Sequence, residues 1–470
     1  MKNITADIVI VGGGTAGMAA AVEAAENKVN VMVIERTSSV GGTARMGSGI
    51  FAVESRLQKI MQETLTREEA FRIYMDYVHW RANARLVKNL IDMSAGTIDW
   101  LERMGVKFRF VASHNPGFYN TFHVVDGPTP GHNDAAEMMR ILEKKAGDLG
   151  VRIFTRVVAE KIVKENNRIE GVICKDESGE DIFVKAGALI LATGGFYIGA
   201  LPGGHGEVGD GIRLASEAGA AVSIAVRTGS RWALPGSLRP SWVVTFTFQQ
   251  PCLIVNLLGE RFINEEIIVN TNFSRNAIAR QKGAIAFNIF DEATKRYFVE
   301  QGFDYAPGGP MVPLTKAENF DIEFQRLIES GSENYFMATS LEELAQKTGI
   351  NYQGLVKTVT EYNHACETGR DMVMNKPYRY LRFIKSPPFY AGKMIGWDIH
   401  DWGGIKVNDR TEVLTPEYEI IPGLYAAGMN IACELYHGTY PFILPATAMG
   451  FAINSRRLAA SSALVHLCKQ

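Results

Sequence analysis

A glycine-rich turn between two apolar segments near the start of the chain constrains the fold more than any other feature. Asp7–Val11 reads Asp-Ile-Val-Ile-Val and predicts a buried strand of a parallel sheet. The turn Gly12–Gly17 follows, the alanine-rich segment Met18–Glu26 predicts a helix, and Asn30–Glu35 predicts a second strand. Because the glycine motif stands inside a complete βαβ unit, the sequence predicts a dinucleotide-binding fold.

The residues of this turn have separate physical roles in such a fold. Gly12 permits the tight turn after the strand, Gly14 lets the backbone approach a pyrophosphate, and Gly17 lets the helix pack closely on the sheet. The phosphates are then expected at Thr15 and Ala16, where free N–H groups and the helix dipole favour anions.

The ligand that fits the wider pattern is FAD rather than NAD. Glu35 closes the second strand, where an acidic side chain accepts hydrogen bonds from a ribose hydroxyl. Small residues recur after Glu35 and at the ends of two distant strands, and they let backbone pass close to a long ligand. Besides the turn itself, the expected FAD contacts are Glu35, Arg36, Gly41, Gly42, Thr43, Met46, Gly47, Ser48, Gly49, Val158, Ala192, Thr193, Gly194, Gly428 and Met429.

The order of the predicted elements indicates an interrupted domain. The parallel-strand pattern stops at about residue 225, and a glycine-punctuated pattern returns towards the C-terminus. We therefore expect an α/β fold in which a Rossmann-like FAD-binding domain of the glutathione-reductase type, residues 1–225 and 371–470, is interrupted by an α+β substrate-capping domain, residues 226–370. The helices predicted in the middle region are Glu266–Gln281, Glu318–Ser330 and Leu341–Thr348.

Composition narrows the classes of partner. The chain has 49 basic and 51 acidic residues and a formal net charge of -2, which indicates neither a nucleic-acid nor a membrane surface. The five cysteines form no CxxC motif, so no metal, iron–sulfur or attached haem site is expected. A strand pattern starts too close to Met1 for a secretory signal peptide, and no apolar run has membrane-spanning length, so we expect a cytoplasmic protein.

These motifs together resemble the flavoprotein family of fumarate reductases, succinate dehydrogenase flavoprotein subunits, urocanate reductase and 3-ketosteroid dehydrogenases. The resemblance covers nearly the whole chain and includes Gly209-Asp210-Gly211 and the run Gly259–Glu265. It implies that the last helix, Ala446–Leu467, begins at the pyrimidine end of the flavin, near Thr447 and Ala448. The dipole of that helix would stabilise negative charge on the reduced flavin.

The resemblance also defines how the cofactor would be attached. Succinate dehydrogenases bind FAD covalently through a histidine in the loop after the Gly-Gly motif. The corresponding loop here, Ala44–Val53, contains no histidine. We therefore expect FAD to be bound non-covalently.

Residues that define fumarate reduction in the family are absent. By resemblance, the proton-donating arginine would stand at Val269, and Arg275 is out of register with it. Thr245 and Phe248 stand where the family has its proton-relay Glu and Arg. The carboxylate-binding arginine near the C-terminus is also missing, because that segment reads Gly438–Ile443 without an arginine. Fumarate itself is therefore rejected as the substrate.

His400 and Tyr440 are the candidates for catalysis. The resemblance places His400 where a family histidine binds a substrate oxygen, and an imidazole can donate a hydrogen bond to a carbonyl as charge develops on it. Tyr440 resembles the tyrosine of 3-ketosteroid dehydrogenases that polarises a ketone, and a phenol can donate a proton to an enolate oxygen. The alternatives are a histidine that only supports the flavin or a loop and a tyrosine that only packs.

The candidate substrate contacts lie in the middle region and in one early loop. Arg231 is a candidate for holding a carboxylate or enolate, with a solvated side chain as the alternative. Aromatic residues of this region favour a flat, apolar substrate, although such residues also form cores. The predicted substrate contacts are Arg231, Trp232 and Tyr119, and the other aromatic residues are Trp242, Phe246 and Phe248.

The sequence thus predicts an FAD-dependent oxidoreductase that acts on a C–C bond adjacent to a carbonyl of a small molecule. We favour an ene-reductase that reduces the activated C=C of a cyclic or aromatic enone or enoate by hydride transfer from flavin N5. The alternatives are a 3-ketosteroid-type dehydrogenase and a non-catalytic FAD-binding subunit. NADH, NADPH, a free reduced flavin and an electron-donor protein are the candidate sources of electrons.

Overall fold

A computed structural model of the 470-residue chain describes ten segments. Of residues 231–233, 242, 396 and 397 it describes the backbone alone. The described segments are residues 2–113, 117–127, 134–166, 168–195, 208–223, 231–233, 242–305, 315–397, 403–436 and 438–469.

The chain divides into two compact units. The first consists of Met1–Thr228 and His400–Gln470, and the second is Gly229–Ile399. The interruption begins close to the expected residue 226 but ends about thirty residues later than the expected residue 370. The reason is that Phe389–Trp397 is a strand in the sheet of the second unit, a pairing that its apolar composition does not reveal.

Strands of the described part occur in both units. In chain order they are β1 (Lys2–Val11), β2 (Val31–Ile34), β3 (Gly49–Phe51), β4 (Phe108–Ala112), β5 (Phe122–Val125), β6 (Arg152–Phe154), β7 (Val158–Glu165), β8 (Arg168–Lys175), β9 (Asp181–Leu191), β10 (Val222–Ser223), β11 (Arg231–Ala233), β12 (Leu253–Asn256), β13 (Ile285–Asp291), β14 (Tyr335–Ala338), β15 (Phe389–Trp397), β16 (Gly404–Ile405), β17 (Glu412–Leu414) and β18 (Ile420–Ala426).

The α-helices of the described part occur in both units. They are α1 (Thr15–Glu26), α2 (Arg56–Ile60), α3 (Arg67–Tyr77), α4 (Ala84–Arg103), α5 (Ala135–Asp148), α6 (Asp210–Glu217), α7 (Trp242–Thr247), α8 (Thr271–Ala279), α9 (Glu292–Glu300), α10 (Phe320–Glu329), α11 (Leu341–Thr348), α12 (Tyr352–Thr368), α13 (Ala432–Leu435) and α14 (Thr447–Leu467). Among these described helices, none combines the length and apolar character needed to cross a membrane.

The main sheet of the first unit is built around β1. Its strand order is β17-β18-β9-β1-β2-β6, and β7 and β8 extend it from β9. β1 is parallel to both of its neighbours, and Val11 pairs with Ile34 on one side and Leu191 on the other. Because parallel strands end at the same edge of a sheet, the small-residue motifs after β1, β9 and β18 meet there.

β9 is one long strand that has two different neighbours along one of its edges. Its first half pairs with β8 in antiparallel orientation, and its second half pairs with β18 in parallel orientation. The ladder with β1 continues through the junction, where Ala6 pairs with Ala186. β9 therefore joins the antiparallel pair β7 and β8 to the parallel part of the sheet.

Helices α1 and α14 form the buried layer beside this sheet. Residues Ala16–Val22 of α1 are buried on all sides, as an all-apolar helix surface requires. α14 packs along α1 and also contacts α4. The small side chains Ala459, Ala460 and Ala463 are fully buried, which allows the helices to pack closely.

The second unit is an antiparallel sheet with an apolar cluster on each face. Its strand order is β11-β15-β13-β12, and β14 pairs with β15. Phe290 and Ile254 belong to one cluster, while Phe287, Leu253 and Val255 belong to the other. This alternation follows the two-residue period of a strand with both faces covered.

A buried ion-pair network fixes the Gly259–Glu265 run that carries part of the family resemblance. The Arg261 guanidinium is paired with Glu265 and with Asp371, each at 2.8 Å, and all three side chains are at most 5% exposed. Lys376 Nζ lies 3.6 Å from Glu265 Oε2 and donates a hydrogen bond to the Tyr362 hydroxyl at 2.7 Å. In this structure the motif residues therefore stabilise the second unit.

The helix predicted at Glu266–Gln281 is interrupted. A 3-10 turn, Glu265–Val269, precedes α8, and Asn270 between them has a non-helical backbone with φ −93° and ψ 93°. The Asn270 side chain accepts a hydrogen bond from Phe273 N at 3.3 Å and caps α8. The apolar pattern spans both pieces and concealed the break.

The aromatic core of the second unit depends on Phe248, and its truncation tests that packing. The Phe248 ring is fully buried and lies 4.8 Å from the Phe290 ring and 5.3 Å from the Tyr335 ring, measured between centroids. Phe248→Ala should lower the free energy of unfolding by about 3–5 kcal/mol through lost contacts and a cavity. Urea denaturation of the FAD-bound protein measures this change.

The matched control is Phe273→Ala in the same unit, because the Phe273 side chain is 44% exposed. A surface truncation of this kind should change the unfolding free energy by no more than about 0.5 kcal/mol. Equal losses in the two variants would contradict the assignment of Phe248 to the core.

Candidate active site

The glycine turn after β1 brings three backbone segments into close contact. Gly12 has φ +106°, and a Cβ at this position would lie less than 3.0 Å from the Ala192 carbonyl oxygen. A Cβ at Gly17 would lie less than 3.0 Å from the Gly12 carbonyl oxygen. Only glycine fits these two positions, so β1, the end of β9 and the first turn of α1 are held together without intervening side chains.

The N-terminus of α1 is open and uncapped. Gly14 is its N-cap residue and provides no side-chain cap, and no atom lies within 4 Å of a Cβ built there. The Thr15 hydroxyl is buried and has no hydrogen-bond partner among the described residues. Free amides, the helix dipole and an unpartnered hydroxyl together fit the pyrophosphate of a dinucleotide.

Glu35 is fixed beside this turn by backbone donors. Its carboxylate accepts hydrogen bonds from Gly13 N at 2.7 Å and from the N and Oγ1 of Thr37, both at 2.8 Å. A carboxylate offers about four lone-pair positions, so one position remains for a ribose hydroxyl. Val157 N donates to the Glu35 carbonyl at 3.0 Å, which places Val158 at the start of β7 close to the same site.

The segment Gly41–Gly49 continues from the turn to the last helix. Gly41 N donates to the Gly13 carbonyl at 2.8 Å, and Gly42, which begins a 3-10 turn containing Thr43, lies next to Gly14. A Cβ at Gly47 would lie less than 3.0 Å from the Met449 Cε. The small residues therefore form a continuous path from the N-terminus of α1 to the first turn of α14. Of the other predicted contacts in this segment, Met46 is 45% exposed and Ser48 is buried.

Asn430 joins the small-residue motif after β9 to the one after β18. No sequence pattern predicted a role for this residue. Its Oδ1 accepts from Thr193 N at 2.8 Å, and its Nδ2 donates to the Gly194 carbonyl at 2.8 Å. The Thr193 hydroxyl accepts from Gly211 N at 2.9 Å, which adds the start of α6. The only sequence signal was its position two residues after Gly428.

Arg36, a predicted FAD contact, forms an ion pair with Asp210. Its Nη1 is paired with Asp210 Oδ2 at 2.9 Å, and the two side chains are 38% and 20% exposed. The ion pair connects the end of β2 to α6. Asp210 lies in the Gly-Asp-Gly motif, so the pair accounts for the acidic residue of that motif.

Tyr440 lies at the N-terminus of α14. The helix has no side-chain cap at Ala446, and Ala448 N donates a hydrogen bond to the Tyr440 hydroxyl at 3.1 Å. A phenol hydroxyl can both accept and donate, and here its oxygen accepts from the Ala448 amide. The amide and the positive end of the helix also stabilise negative charge on that oxygen.

An aromatic group and one loop surround Tyr440. Its ring lies 5.3 Å from the Tyr436 ring and 4.9 Å from the Phe442 ring, and only 9% of the residue is exposed. Tyr119 N donates to the Ile443 carbonyl at 3.1 Å. Two residues predicted for the substrate site, Tyr440 and Tyr119, therefore lie on adjoining segments of the first unit.

Other predicted substrate residues lie elsewhere or outside the described residues. Arg231 and Trp232 belong to β11 of the second unit, where their backbone pairs with Trp397 and Gly396. His400 falls outside the described residues.

The expectation that Phe246 and Phe248 indicate a flat substrate is corrected, because both are buried in the core of the second unit. Their apolar surroundings explain the aromatic density there.

The strand β5 supports the Gly41–Gly49 segment through a neutral histidine. His123 is fully buried, its Nε2 lies 2.6 Å from Ser55 Oγ, and its Nδ1 lies 3.1 Å from the Thr121 carbonyl. Burial lowers the pKa of His123 to about 4. A Cβ at Gly49 would lie less than 3.0 Å from the His123 carbonyl oxygen, so this strand directly contacts the segment.

Comparison with known proteins identifies an FAD-binding family and similar reductases. The family model described as "FAD binding domain" matches residues 7–442. Vinyl phenol reductase of Lactiplantibacillus plantarum is 30% identical over 97% of this chain and 96% of that protein. A fumarate reductase (cytochrome) of Shewanella frigidimarina is 28% identical over 90% of this chain and 72% of that protein.

Solved structures show the same fold at lower identity. A 3-ketosteroid-Δ4-(5α)-dehydrogenase of Rhodococcus jostii superposes with a TM-score of 0.78 at 23% identity, covering 98% of this chain and 97% of that chain. The open conformation of a flavocytochrome c3 fumarate reductase gives a TM-score of 0.73 at 21% identity, covering 99% of this chain and 79% of that chain.

Gly17→Ala tests the contact at the glycine turn. The added Cβ would push α1 away from Gly12 and displace the amides of its first turn, so FAD should be lost from the purified protein. The FAD-to-protein ratio from absorbance measures this loss. Gly96→Ala is the control, because Gly96 lies exposed within α4 with no atom within 4 Å of the new Cβ. Full FAD occupancy in Gly17→Ala would contradict the account.

His123 should make stability depend on pH. Its folded pKa of about 4 lies below the unfolded value of about 6.5, so its contribution is complete above pH 6.5 and is lost as pH falls towards 4. Between pH 7 and pH 4.5 the expected loss of unfolding free energy is about 2–3 kcal/mol. Urea denaturation of wild type and His123→Gln at pH 7 and pH 4.5 isolates this contribution. Equal pH dependence of the two proteins would show that His123 titrates normally.

Proposed function

Because this chain belongs to the fumarate reductase and succinate dehydrogenase family of FAD-dependent oxidoreductases, we propose that it reduces a C=C bond conjugated with a carbonyl group or with an oxygen-bearing aromatic ring. Enones and enoates accept a hydride with negative charge developing on their carbonyl oxygen. A vinyl phenol behaves in the same way once its phenolate is protonated at the terminal carbon, because hydride addition to the resulting quinone methide returns the negative charge to the phenol oxygen.

The observation that carries this proposal is the position of the Tyr440 hydroxyl. It accepts a hydrogen bond from Ala448 N at the positive end of α14, and a phenol hydroxyl is both an acceptor and a donor. A phenol in this arrangement donates to a substrate oxygen, and it does so more strongly as that oxygen becomes negative. Tyr440 therefore suits a carbonyl or phenol oxygen.

The chemistry balances with one hydride and one proton. When bound and reduced, FAD supplies a hydride to one carbon of the substrate double bond. Tyr440 holds the conjugated oxygen during this transfer and stabilises the enolate or phenolate that results. The other carbon receives a proton, and the product gains two hydrogen atoms.

The residues at the family's fumarate positions support an uncharged or aromatic substrate. Val269 lies in a 3-10 turn and packs against the apolar cluster of the second unit. Phe248 is fully buried in that cluster. Neither can bind a carboxylate or relay a proton, so the chemistry of a dicarboxylate reductase has no support at these positions. The 30% identical relative is named for a vinyl phenol, which has no carboxylate.

Further roles in the proposal rest on the family resemblance. His400 donates a second hydrogen bond to the substrate oxygen, and Arg231, Trp232 and Tyr119 contact the substrate. Relatives named NADH:fumarate oxidoreductase and NADH:acrylate oxidoreductase are matched over 44% and 47% of their length. We propose NADH, NADPH, a free reduced flavin or an electron-donor protein as the source of its electrons.

Product analysis tests the proposal. The protein is incubated without oxygen with reduced methyl viologen and one alkene from a panel: 4-vinylphenol, cinnamates, cyclic enones, a 4-en-3-oxo steroid and fumarate. Mass spectrometry should show the saturated product of a vinyl phenol or enone and no succinate. If no alkene is reduced while a saturated 3-ketosteroid is oxidised with a dye acceptor, the protein is a dehydrogenase. If neither reaction occurs, the result favours the alternative of a non-catalytic FAD-binding subunit.

Tyr440→Phe should lower the rate of alkene reduction in this assay by about 10²–10⁴-fold, because the donor to the substrate oxygen is removed. FAD content should stay unchanged. Tyr436→Phe is the matched control, since Tyr436 is fully buried beside Tyr440 and cannot reach a substrate. A Tyr440→Phe rate within threefold of the Tyr436→Phe rate would remove Tyr440 from the mechanism.

A further inference from the structure

Arg456 is a buried cation whose role the reductase chemistry does not explain. It lies on α14, and its side chain is fully buried, the largest such side chain among the described residues. Its Nη2 donates a hydrogen bond to the Ala427 carbonyl. Its Nε and Nη1 have no hydrogen-bond partner among the described residues.

The guanidinium lies behind two elements of the cofactor site. A Cβ at Gly428 would lie 2.8 Å from Arg456 Nη2 and 3.4 Å from the Ala16 Cβ. Arg456 therefore lies directly behind Ala427 and Gly428, in the small-residue motif after β18, and next to the first turn of α1. Ser455 supports the same point, because its Oγ accepts from Gly428 N at 2.9 Å.

No acidic group balances this charge in the described part of the chain. The first turn of α1 contains no acidic residue, and neither does the first turn of α14. Burial alone lowers the pKa of Arg456 to about 9, with no charged neighbour contributing. An unpaired buried charge is costly, and proteins that keep one normally provide an anion nearby.

A second observation points to the same anion. The α1 N-terminus is uncapped, the space at Gly14 is open, and the buried Thr15 hydroxyl lacks a partner. The helix dipole and the Arg456 charge therefore both make the electrostatic potential at the N-terminus of α1 more positive. An FAD bound in this domain brings a pyrophosphate with two negative charges to that spot.

We propose that Arg456 is the buried counter-charge of the FAD pyrophosphate. It touches no cofactor atom, since it is fully covered by protein, and it acts through the Ala427–Gly428 backbone and the first turn of α1. It is therefore a positioning residue that couples FAD binding to stability. The proposal rests on the FAD site and is independent of the reaction that the protein catalyses.

Arg456→Met tests the proposal by removing the charge while keeping most of the volume. The apoprotein should melt at the same or a higher temperature, because an unpaired buried charge is gone. FAD should bind about tenfold to a hundredfold more weakly, the effect of one charge at short range in a protein interior. Differential scanning fluorimetry with and without FAD, and quenching of flavin fluorescence, measure the two quantities.

Arg457→Met is the matched control on the same helix. Arg457 is already paired, with its Nε 2.7 Å from Glu23 Oε2 and its Nη1 donating to Thr97 Oγ1 at 2.8 Å. Its loss should lower the melting temperature of the apoprotein without a selective loss of FAD affinity. Arg456→Lys keeps the charge and should retain most of the affinity, which covers the case of a poorly folding methionine variant.

Binding of FAD fragments distinguishes a loss of diphosphate recognition from a general loss of structure. ADP carries the diphosphate and riboflavin does not, and each is titrated into wild-type and Arg456→Met apoprotein. The proposal predicts a loss for FAD and ADP by a similar factor and no change for riboflavin. Unchanged FAD affinity would overturn it. Equal losses for all three ligands together with a lower apoprotein melting temperature would also overturn it, because Arg456 would then be only structural.

Discussion

The contact between Gly17 and the Gly12 carbonyl is the constraint on which the first unit depends. It brings the start of α1 against the ends of β1 and β9, where no side chain larger than hydrogen fits. The position of α1 then fixes α14, which packs along it. Both α1 and α14 begin at N-cap residues, Gly14 and Ala446, that provide no side-chain cap.

These two helix N-termini stabilise negative charge at two different places in the site. The end of α1, with the Thr15 hydroxyl beside it and Arg456 behind it, provides positive potential for phosphates. The end of α14 provides it at the Tyr440 hydroxyl, which accepts from Ala448 N. Both ends are assembled from backbone that glycine and alanine leave uncovered, which explains the abundance of small residues in the motifs.

By the family resemblance, the positions of the fumarate-reducing residues hold different side chains in this chain. The ion pairs of Arg261 with Glu265 and Asp371 retain a structural part of the family motif. The positions of its acid and relay hold Val269 and Phe248, which pack in an apolar core. Loss of charge at these positions and a phenol at the end of α14 are consistent with a substrate oxygen that is a ketone or phenol.

The sequence predicted the first βαβ unit and the last helix well, because glycine spacing and apolar runs reflect local constraints. It did not predict long-range partners. Asn430 lies in an apolar segment and Arg456 in the polar run Asn454–Arg457, and their roles depend on contacts more than twenty residues away. The end of the interruption was misplaced because β15 reads like any apolar strand until its antiparallel pairing with β13 is known.

The central claim is that hydride passes from the reduced flavin to a conjugated double bond, and a single turnover tests it directly. The protein is reduced stoichiometrically with dithionite and mixed without oxygen with 4-vinylphenol or a cyclic enone in a stopped-flow spectrometer. The account predicts rapid return of the oxidised flavin band with an equivalent amount of saturated product. If the flavin stays reduced with every alkene while a saturated ketone bleaches the oxidised protein, the reaction runs in the opposite direction and the account is wrong.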